Sequence, residues 1–85
     1  MDDSGKRYGF VGILVENRDS SVTIQQILAQ NSDVILGRMG LPHLADDTLS
    51  IITLIVHATT DRIGALTGRL GAVPGVSVKS GLGKL

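Results

Sequence analysis

The chain has 85 residues, eight basic and eight acidic side chains and no cysteine. This length allows one domain with a thin core, and a hydrophobic share of 42% excludes a disordered polar chain. The lack of cysteine excludes a disulfide scaffold, zinc thiolates and thiol catalysis, and a net charge of zero argues against direct binding of nucleic acid.

The apolar segments are too short to cross a bilayer, so we expect no membrane association. The first apolar run begins at Tyr8, and no charged and apolar leader precedes it. We therefore expect a small soluble protein of the cytoplasm, with a single domain at residues 8–80. Polar, glycine-containing tails are expected to be flexible at residues 1–7 and 81–85.

The first half of the chain predicts a strand and then a helix. Residues 8–15 are β-formers with two internal glycines, which predicts a strand. The polar cluster at residues 16–21 offers helix caps, and we expect Asp19 or Ser21 to be the N-cap. Apolar residues then recur at helical spacing at Ile24, Ile27 and Leu28.

The remaining elements follow the same alternation. Residues 34–39 predict a short strand, residues 40–47 the longest loop, and residues 48–58 the strongest strand. Residues 59–61 offer a second set of caps, and residues 76–80 predict a last strand. Between them the second helix is marked by Ile63, Leu66, Leu70 and Val73.

The order β-α-β-β-α-β contains two similar halves. Three residues recur at a spacing of 42 positions, in the pairs Asp19 and Asp61, Leu28 and Leu70, and Val34 and Val76. A split β-α-β unit used twice predicts an α+β ferredoxin-like sandwich, in which one four-stranded antiparallel sheet carries both helices on one face. Right-handed crossovers place the first and third strands in the middle.

The two predicted central strands are apolar on both of their faces. In the first strand, Phe10 and Leu14 alternate with Val11, Ile13 and Val15. In the third strand, the two alternating sets are Leu49, Ile51, Thr53 and Ile55 on one side and Ile52, Leu54 and Val56 on the other. Two helices cover one sheet face, so a monomer would leave several large side chains in water. Fully burying each is worth about 1.5–3 kcal/mol. We therefore expect a homodimer or homotetramer through the helix-free face, with a modest exposed patch as the alternative.

Glycines form a stripe along the second helix and its exit, at Gly64, Gly68, Gly71 and Gly75. Each interior glycine costs about 1 kcal/mol relative to alanine. We expect close approach of a neighbouring backbone on this side, by the first helix in preference to a partner chain. Simple tolerance of glycine is the alternative.

The sequence contains no convincing catalytic or metal-binding set. His43 and His57 are the two imidazoles and are weak candidates for metal ligands, which leads us to predict no metal site within one chain. A site shared between chains would join His43 to Asp46, Asp47 or His57. The alternative for His57 is a half-buried strand end at an interface. The serines lack a matched base, so we predict neither an enzyme nor a bound cofactor.

The turn after the first strand is the best candidate for binding a small effector. Asn17, Arg18 and Asp19 place an amide, a guanidinium and a carboxylate beside the N-terminus of a helix, which attracts carboxylates. The turn Thr59–Arg62 repeats this chemistry. The alternative is simple helix capping with solvated arginines.

The motif at residues 61–71, Asp-Arg-Ile-Gly-Ala-Leu-Thr-Gly-Arg-Leu-Gly, is followed by Pro-Gly-Val-Ser-Val-Lys at residues 74–79. Together with residues 33–40 and 15–18, these stretches resemble the iron-only hydrogenase system regulators, which are small stand-alone ACT-like proteins. The resemblance covers residues 8–80. It implies the ferredoxin-like fold that ACT domains share with the sensing domain of nickel-responsive repressors.

The resemblance also implies how such a protein would act. ACT domains pair through their sheets and commonly bind amino acids or other small effectors at subunit boundaries, near the turn after the first strand. That turn usually carries a glycine, and Asn17, Arg18 and Asp19 stand there in this chain. The histidine pattern of the nickel repressors is not reproduced. No ribbon-helix-helix segment precedes Tyr8, so an effect on transcription would need a partner protein.

Three hypotheses follow for function. The first is a non-enzymatic, homo-oligomeric regulator that binds a small effector between subunits and regulates an iron-only hydrogenase system. The second is a protein-interaction or assembly factor for metalloenzyme maturation. The third is a metal sensor that uses His43 and His57.

Overall fold

A four-stranded antiparallel sheet with two helices makes up residues 5–83, the part of the chain that the computed structural model describes. The elements are β1 (Arg7–Val15), α1 (Ser21–Gln30), β2 (Ile35–Leu44), β3 (Leu49–Ala58), α2 (Thr60–Gly71) and β4 (Val76–Leu82). The strand order is β2-β3-β1-β4, and every neighbouring pair is antiparallel. The predicted ferredoxin-like α+β sandwich is confirmed, with β1 and β3 in the middle.

The core fills the space between the two helices and one face of the sheet. The apolar positions predicted for α1 and α2 are all buried, and they pack against inward-facing residues of the central strands. None of the helices within residues 5–83 combines the length and apolar character required to span a bilayer. The fully buried large side chains are Ile13, Ile24, Leu28, Leu54, Leu66, Leu70, Val11 and Val56.

The pairing register decides which parity of the central strands lies opposite the helices. Phe10 pairs with Ile55 and Leu14 pairs with Ile51, and these residues lie on the face that carries no helix. Met39 of β2 pairs with Thr53 and extends the same face. Phe10 is 53% exposed, Ile55 48% and Met39 67%. We call the apolar surface formed by Phe10, Leu14, Met39, Leu41, Ile51 and Ile55 the free face.

Two strands are longer than their sequences predict. The pairing of β2 with β3 extends into the loop expected at residues 40–47 as far as Leu44, with Leu41 opposite Ile51 and Leu44 opposite Leu49, and residues 45–48 form the turn. β4 continues to Leu82, and Gly83 N donates to the carbonyl of Tyr8 at 2.8 Å. The expected C-terminal tail at residues 81–85 therefore begins as strand.

The N-terminal tail predicted at residues 1–7 extends one residue too far, to Arg7. Arg7 belongs to β1, because it pairs with Ala58 of β3. The rest of the two tail predictions, at residues 1–4 and 84–85, lies outside the described residues.

The glycine stripe does not mark contact between the helices. A Cβ atom placed on Gly64, Gly68 or Gly71 would meet no atom within 4 Å, so the expected approach of the first helix at these positions is wrong. Gly75 differs, because its φ is +75° and an added Cβ would lie 2.6 Å from the Cβ of Asn17. The close approach is therefore between Gly75 and Asn17, after the end of α2.

Two alanine substitutions should have opposite effects on stability. Gly68→Ala fills open space inside a helix and should raise the free energy of unfolding by about 0.5–1 kcal/mol. Gly75→Ala combines a left-handed backbone with a collision and should lower it by more than about 1 kcal/mol. Urea unfolding followed by circular dichroism measures both values. A destabilising Gly68→Ala would show instead that another chain covers this side of α2.

Candidate functional site

A cleft of about 680 Å³ opens between the turn that joins β1 to α1 and the tip of the β2–β3 hairpin. Its inner wall is apolar, with the partly buried Leu49 and Ile52 in front of the buried Val15 and Ile24. Its rim is polar and exposed, with Arg18 on the turn and Asp47 on the hairpin. The cleft can therefore take a small molecule with an apolar body and a polar end.

The turn between β1 and α1 is fastened to the turn between α2 and β4. Glu16 N donates to the carbonyl of Gly75 at 2.8 Å, and Ser20 Oγ donates to the carbonyl of Pro74 at 2.6 Å. Ser20 is buried, although it is polar, because its hydroxyl has this partner. These contacts fix the backbone from which the Arg18 side chain extends.

Ser20 is the residue that precedes α1, so the expected N-cap at Asp19 or Ser21 is wrong. The Ser20 hydroxyl forms no cap bond to the helix because it donates to Pro74. The side chain that accepts from a backbone N–H in this turn is Asn17, whose Oδ1 lies 3.0 Å from Asp19 N. A short 3-10 turn at Arg18–Ser20 makes this arrangement possible.

Three exposed side chains meet at the rim of the cleft. Arg18 forms an ion pair with Asp47 Oδ2 through Nη2, and the same nitrogen donates to the Asp47 carbonyl at 3.3 Å. His43 Nδ1 contacts the other carboxylate oxygen, Oδ1. Hydrogen bonds from His43 and then Arg18 hold the pKa of the Asp47 carboxyl below its usual range. At neutral pH Asp47 is therefore an anion held between two nitrogen groups.

The tip of the hairpin has an unusual backbone. His43, Ala45, Asp46 and Asp47 all have positive φ, between 51° and 69°, although none is glycine. Non-glycine residues adopt this region infrequently, with Asn, Asp and His the best tolerated. Thr48 closes the tip, since its Oγ1 donates to the carbonyl of Ala45 at 2.6 Å. This geometry turns the Asp47 side chain towards Arg18.

The structure separates the three residues predicted to bind an effector. Asn17 and Arg18 line the cleft. Asp19 lies on the other side of the turn, in a shallower groove of about 580 Å³ between α1 and α2 that also contains Asn17 and Arg69. Asp47 also lines the cleft, although the sequence suggested it only as a partner of His43 in a metal site shared between chains.

The second predicted turn does not repeat the first. Thr59 caps α2, with its Oγ1 accepting from Arg62 N at 3.2 Å. The Arg62 guanidinium donates to both oxygens of Asp33, at 3.1 and 3.0 Å, and this contact lowers the pKa of the Asp33 carboxyl. Neither of the two clefts described above includes this turn.

The two histidines lie at opposite ends of β3. The Tyr8 and His57 rings are stacked, with centroids 4.1 Å apart and planes 22° apart. His43 lies in β2 beyond the other end of β3, near Leu49, and the eight residue steps from Leu49 to His57 span about 26 Å of strand. Within residues 5–83, no three His, Asp or Glu side chains are placed to hold a metal ion. One chain therefore does not bring His43 and His57 together.

Comparison with known proteins identifies relatives of this fold. The uncharacterized protein TM1266 from Thermotoga maritima is 34% identical, with 93% of this chain and 99% of that chain covered and a TM-score of 0.86. The C-terminal domain of MgtC from Mycobacterium tuberculosis is 17% identical over 99% of this chain and 95% of that chain, with a TM-score of 0.71.

A third solved structure shares the fold at lower similarity. CPII, a nitrogen regulatory PII-like protein from Thiomonas intermedia K12 solved with ADP, AMP and bicarbonate, is 15% identical over 93% of this chain and 92% of that chain, with a TM-score of 0.53. At these identities CPII and the MgtC domain show the fold alone.

The family assignment rests on the sequence as well as on the fold. No curated protein is significantly similar to the chain. Residues 7–80, which span all but the two ends, match the TM1266-like family, described as iron-only hydrogenase system regulators. The resemblance noted from the motifs at residues 61–71 and 74–79 is thereby confirmed. The chain belongs to the TM1266-like family of iron-only hydrogenase system regulators.

Proposed function

We propose that this protein is a non-enzymatic regulatory module of the cytoplasm that binds a small effector in the cleft beside Arg18 and assembles with further copies through the free face. The observation that carries the proposal is the cleft itself, which combines an apolar wall with a guanidinium at its rim. Pockets that bind small molecules have this composition, in which apolar surface supplies affinity and a few polar groups supply orientation.

Arg18 is the recognition group in this proposal. Its guanidinium is a planar donor that fits a carboxylate or phosphate with two parallel hydrogen bonds. The turn beneath it is held in place by the Glu16 and Ser20 contacts, so the position of the guanidinium is restricted. Asn17 adds a side-chain amide to the same wall of the cleft.

The free face supports assembly with a second copy. On this face the Gly12–Thr53 pair is flanked by the apolar side chains of β1, β2 and β3, and Lys79 of β4, which pairs with Gly12, adds one charge on the β4 side. The apolar part can pack against a second copy of itself about a two-fold axis, with Lys79 towards the rim. Fully burying a fully exposed side chain of this size is worth about 1.5–3 kcal/mol, and Phe10 and Ile55, which are about half exposed, would each gain about half of that. Summed over the six residues of the free face, the gain is comparable to the whole stability of a small domain.

The cleft borders the free face. Leu49 lines the cleft and has the same parity along β3 as Ile51 and Ile55. A second copy on the free face would therefore lie beside the cleft, which supports effector binding at a subunit boundary. Effector binding would then act by changing the assembly of the copies, or by recruiting a transcription or hydrogenase-maturation partner protein.

Replacing Arg18 should weaken binding of an anionic effector. We expect Arg18→Ala to raise the Kd by roughly 10- to 100-fold, because a charged hydrogen-bond donor is lost. Isothermal calorimetry with amino acids, other small carboxylates and nucleotides provides the measurement. Arg62→Ala is the matched control, since Arg62 contacts Asp33 outside the cleft. Equal losses of affinity in the two variants, or an effect of Arg18→Ala on the free energy of unfolding alone, would favour a simple helix-capping role for the turn.

A charge on the free face should dissociate the assembly without unfolding the chain. We expect Ile55→Lys to yield folded monomers at micromolar concentration in light scattering, because Ile55 lies at the centre of this face. Val22→Lys is the control, since Val22 is an exposed apolar residue on α1. Ile13 and Val56 are unsuitable because both are fully buried in the core. A wild-type protein that is already monomeric would contradict this part of the proposal.

A further inference from the structure

The Arg18 guanidinium already forms an ion pair with a carboxylate in this structure, and that carboxylate belongs to the protein itself. Asp47 reaches it from the hairpin, 29 positions away in sequence, and offers Oδ2 and its backbone carbonyl to the same nitrogen. Asp47 thus occupies the position on Arg18 that the carboxylate of a bound molecule would take. A ligand anchored by Arg18 has to compete with this side chain.

We infer that Asp47 is a built-in competitor for the cleft, which a small monocarboxylate with an apolar body displaces from Arg18. This inference rests on the proposed function, because it specifies the ligand class and the control of the same site. The exchange is one carboxylate for another on one guanidinium.

The geometry makes the displacement easy. Both partners are exposed, Arg18 at 71% and Asp47 at 50% of the side chain, and exposed ion pairs contribute little to stability. The second oxygen of Asp47 faces His43, which belongs to the same hairpin. When Asp47 leaves Arg18 it keeps this partner, so its carboxylate remains stabilised after the exchange.

The charges around the cleft select the ligand class. Glu16 and Asp47 are two carboxylates among the lining residues, and Arg18 is the one arginine or lysine among them. The single guanidinium balances the charge of a monoanion. A dianion would keep one unbalanced negative charge and would be repelled more strongly by the two acids. Pro42, Leu49 and Ile52 are at least partly exposed in the lining and provide an apolar surface for the body of the ligand.

The test compares two asparagine variants in the full chain. Benzoate, butyrate and inorganic phosphate are titrated into the wild type, Asp47→Asn and Asp46→Asn, and backbone amide shifts of Arg18 and Thr48 are followed by NMR. Asparagine tolerates positive φ well, so both variants keep the hairpin geometry. Asp46 is the matched control, because it lies in the same tip and its loss removes the same charge without touching the Arg18 contact.

The expected result is tighter binding of benzoate and butyrate to Asp47→Asn, by about fivefold, the scale of an exposed ion pair. Asp46→Asn should change the Kd by less than about twofold. Weaker or unchanged binding to Asp47→Asn would overturn the inference and leave the proposed function standing, with Asp47 as a support for Arg18. Preference for phosphate over the carboxylates would overturn the ligand class. Absence of binding to all three proteins would refute the inference together with effector binding at this cleft.

The contact between Asp47 and Arg18 has a readout that needs no ligand. Hydrogen bonds from His43 and then from Arg18 keep the pKa of Asp47 below the usual range, so its carboxylate persists at neutral pH and is lost as the pH falls through that lowered value. Carboxyl carbon shifts should show the pKa of Asp47 rising towards its ordinary value in Arg18→Ala, and also in His43→Gln. An unchanged pKa in Arg18→Ala would show that Asp47 does not occupy Arg18 in solution, which would overturn the inference.

Discussion

The structure depends on one imbalance between the sheet and its helices. Both central strands are apolar on both faces, while α1 and α2 cover a single face. The covered face becomes the core, with Ile13, Leu54 and Val56 at its centre. The uncovered face keeps side chains as large as Phe10 and Ile55 in contact with solvent. This imbalance separates the residues that hold the fold together from those available for assembly, and it places the cleft at the border between the two.

Much of the fold could be predicted because the signals are local. Helical spacing identified every buried position of α1 and α2, and the strand order followed from the handedness of the crossovers. The identity of the covered face could not be predicted, because both parities of β1 and β3 are apolar and the pairing of Phe10 with Ile55 decides between them. The length of β2 was missed for another reason, since Pro42 resembles a loop residue but is tolerated in an edge strand.

The candidate site was predictable on one side and not on the other. Arg18 and Asn17 belong to a helix-start pattern that can be recognised within a few residues. Asp47 enters through a hairpin tip built from left-handed residues other than glycine, and such a tip has no clear sequence signature. Arg62 also follows a helix cap in sequence, but it lies within α2, and Asp33 binds it away from the cleft. Both the local turn and the long-range partner therefore distinguish the two arginines.

The bonds of Glu16 to Gly75 and of Ser20 to Pro74 have a consequence for how the cleft can change shape. They join the first half of the chain to the second, so the wall that carries Arg18 moves with the whole domain. The opposite wall is a two-stranded tip joined to that wall through Asp47. Widening of the cleft would then be a hinge motion of the hairpin tip, and the residues that a ligand ordered would belong to that wall.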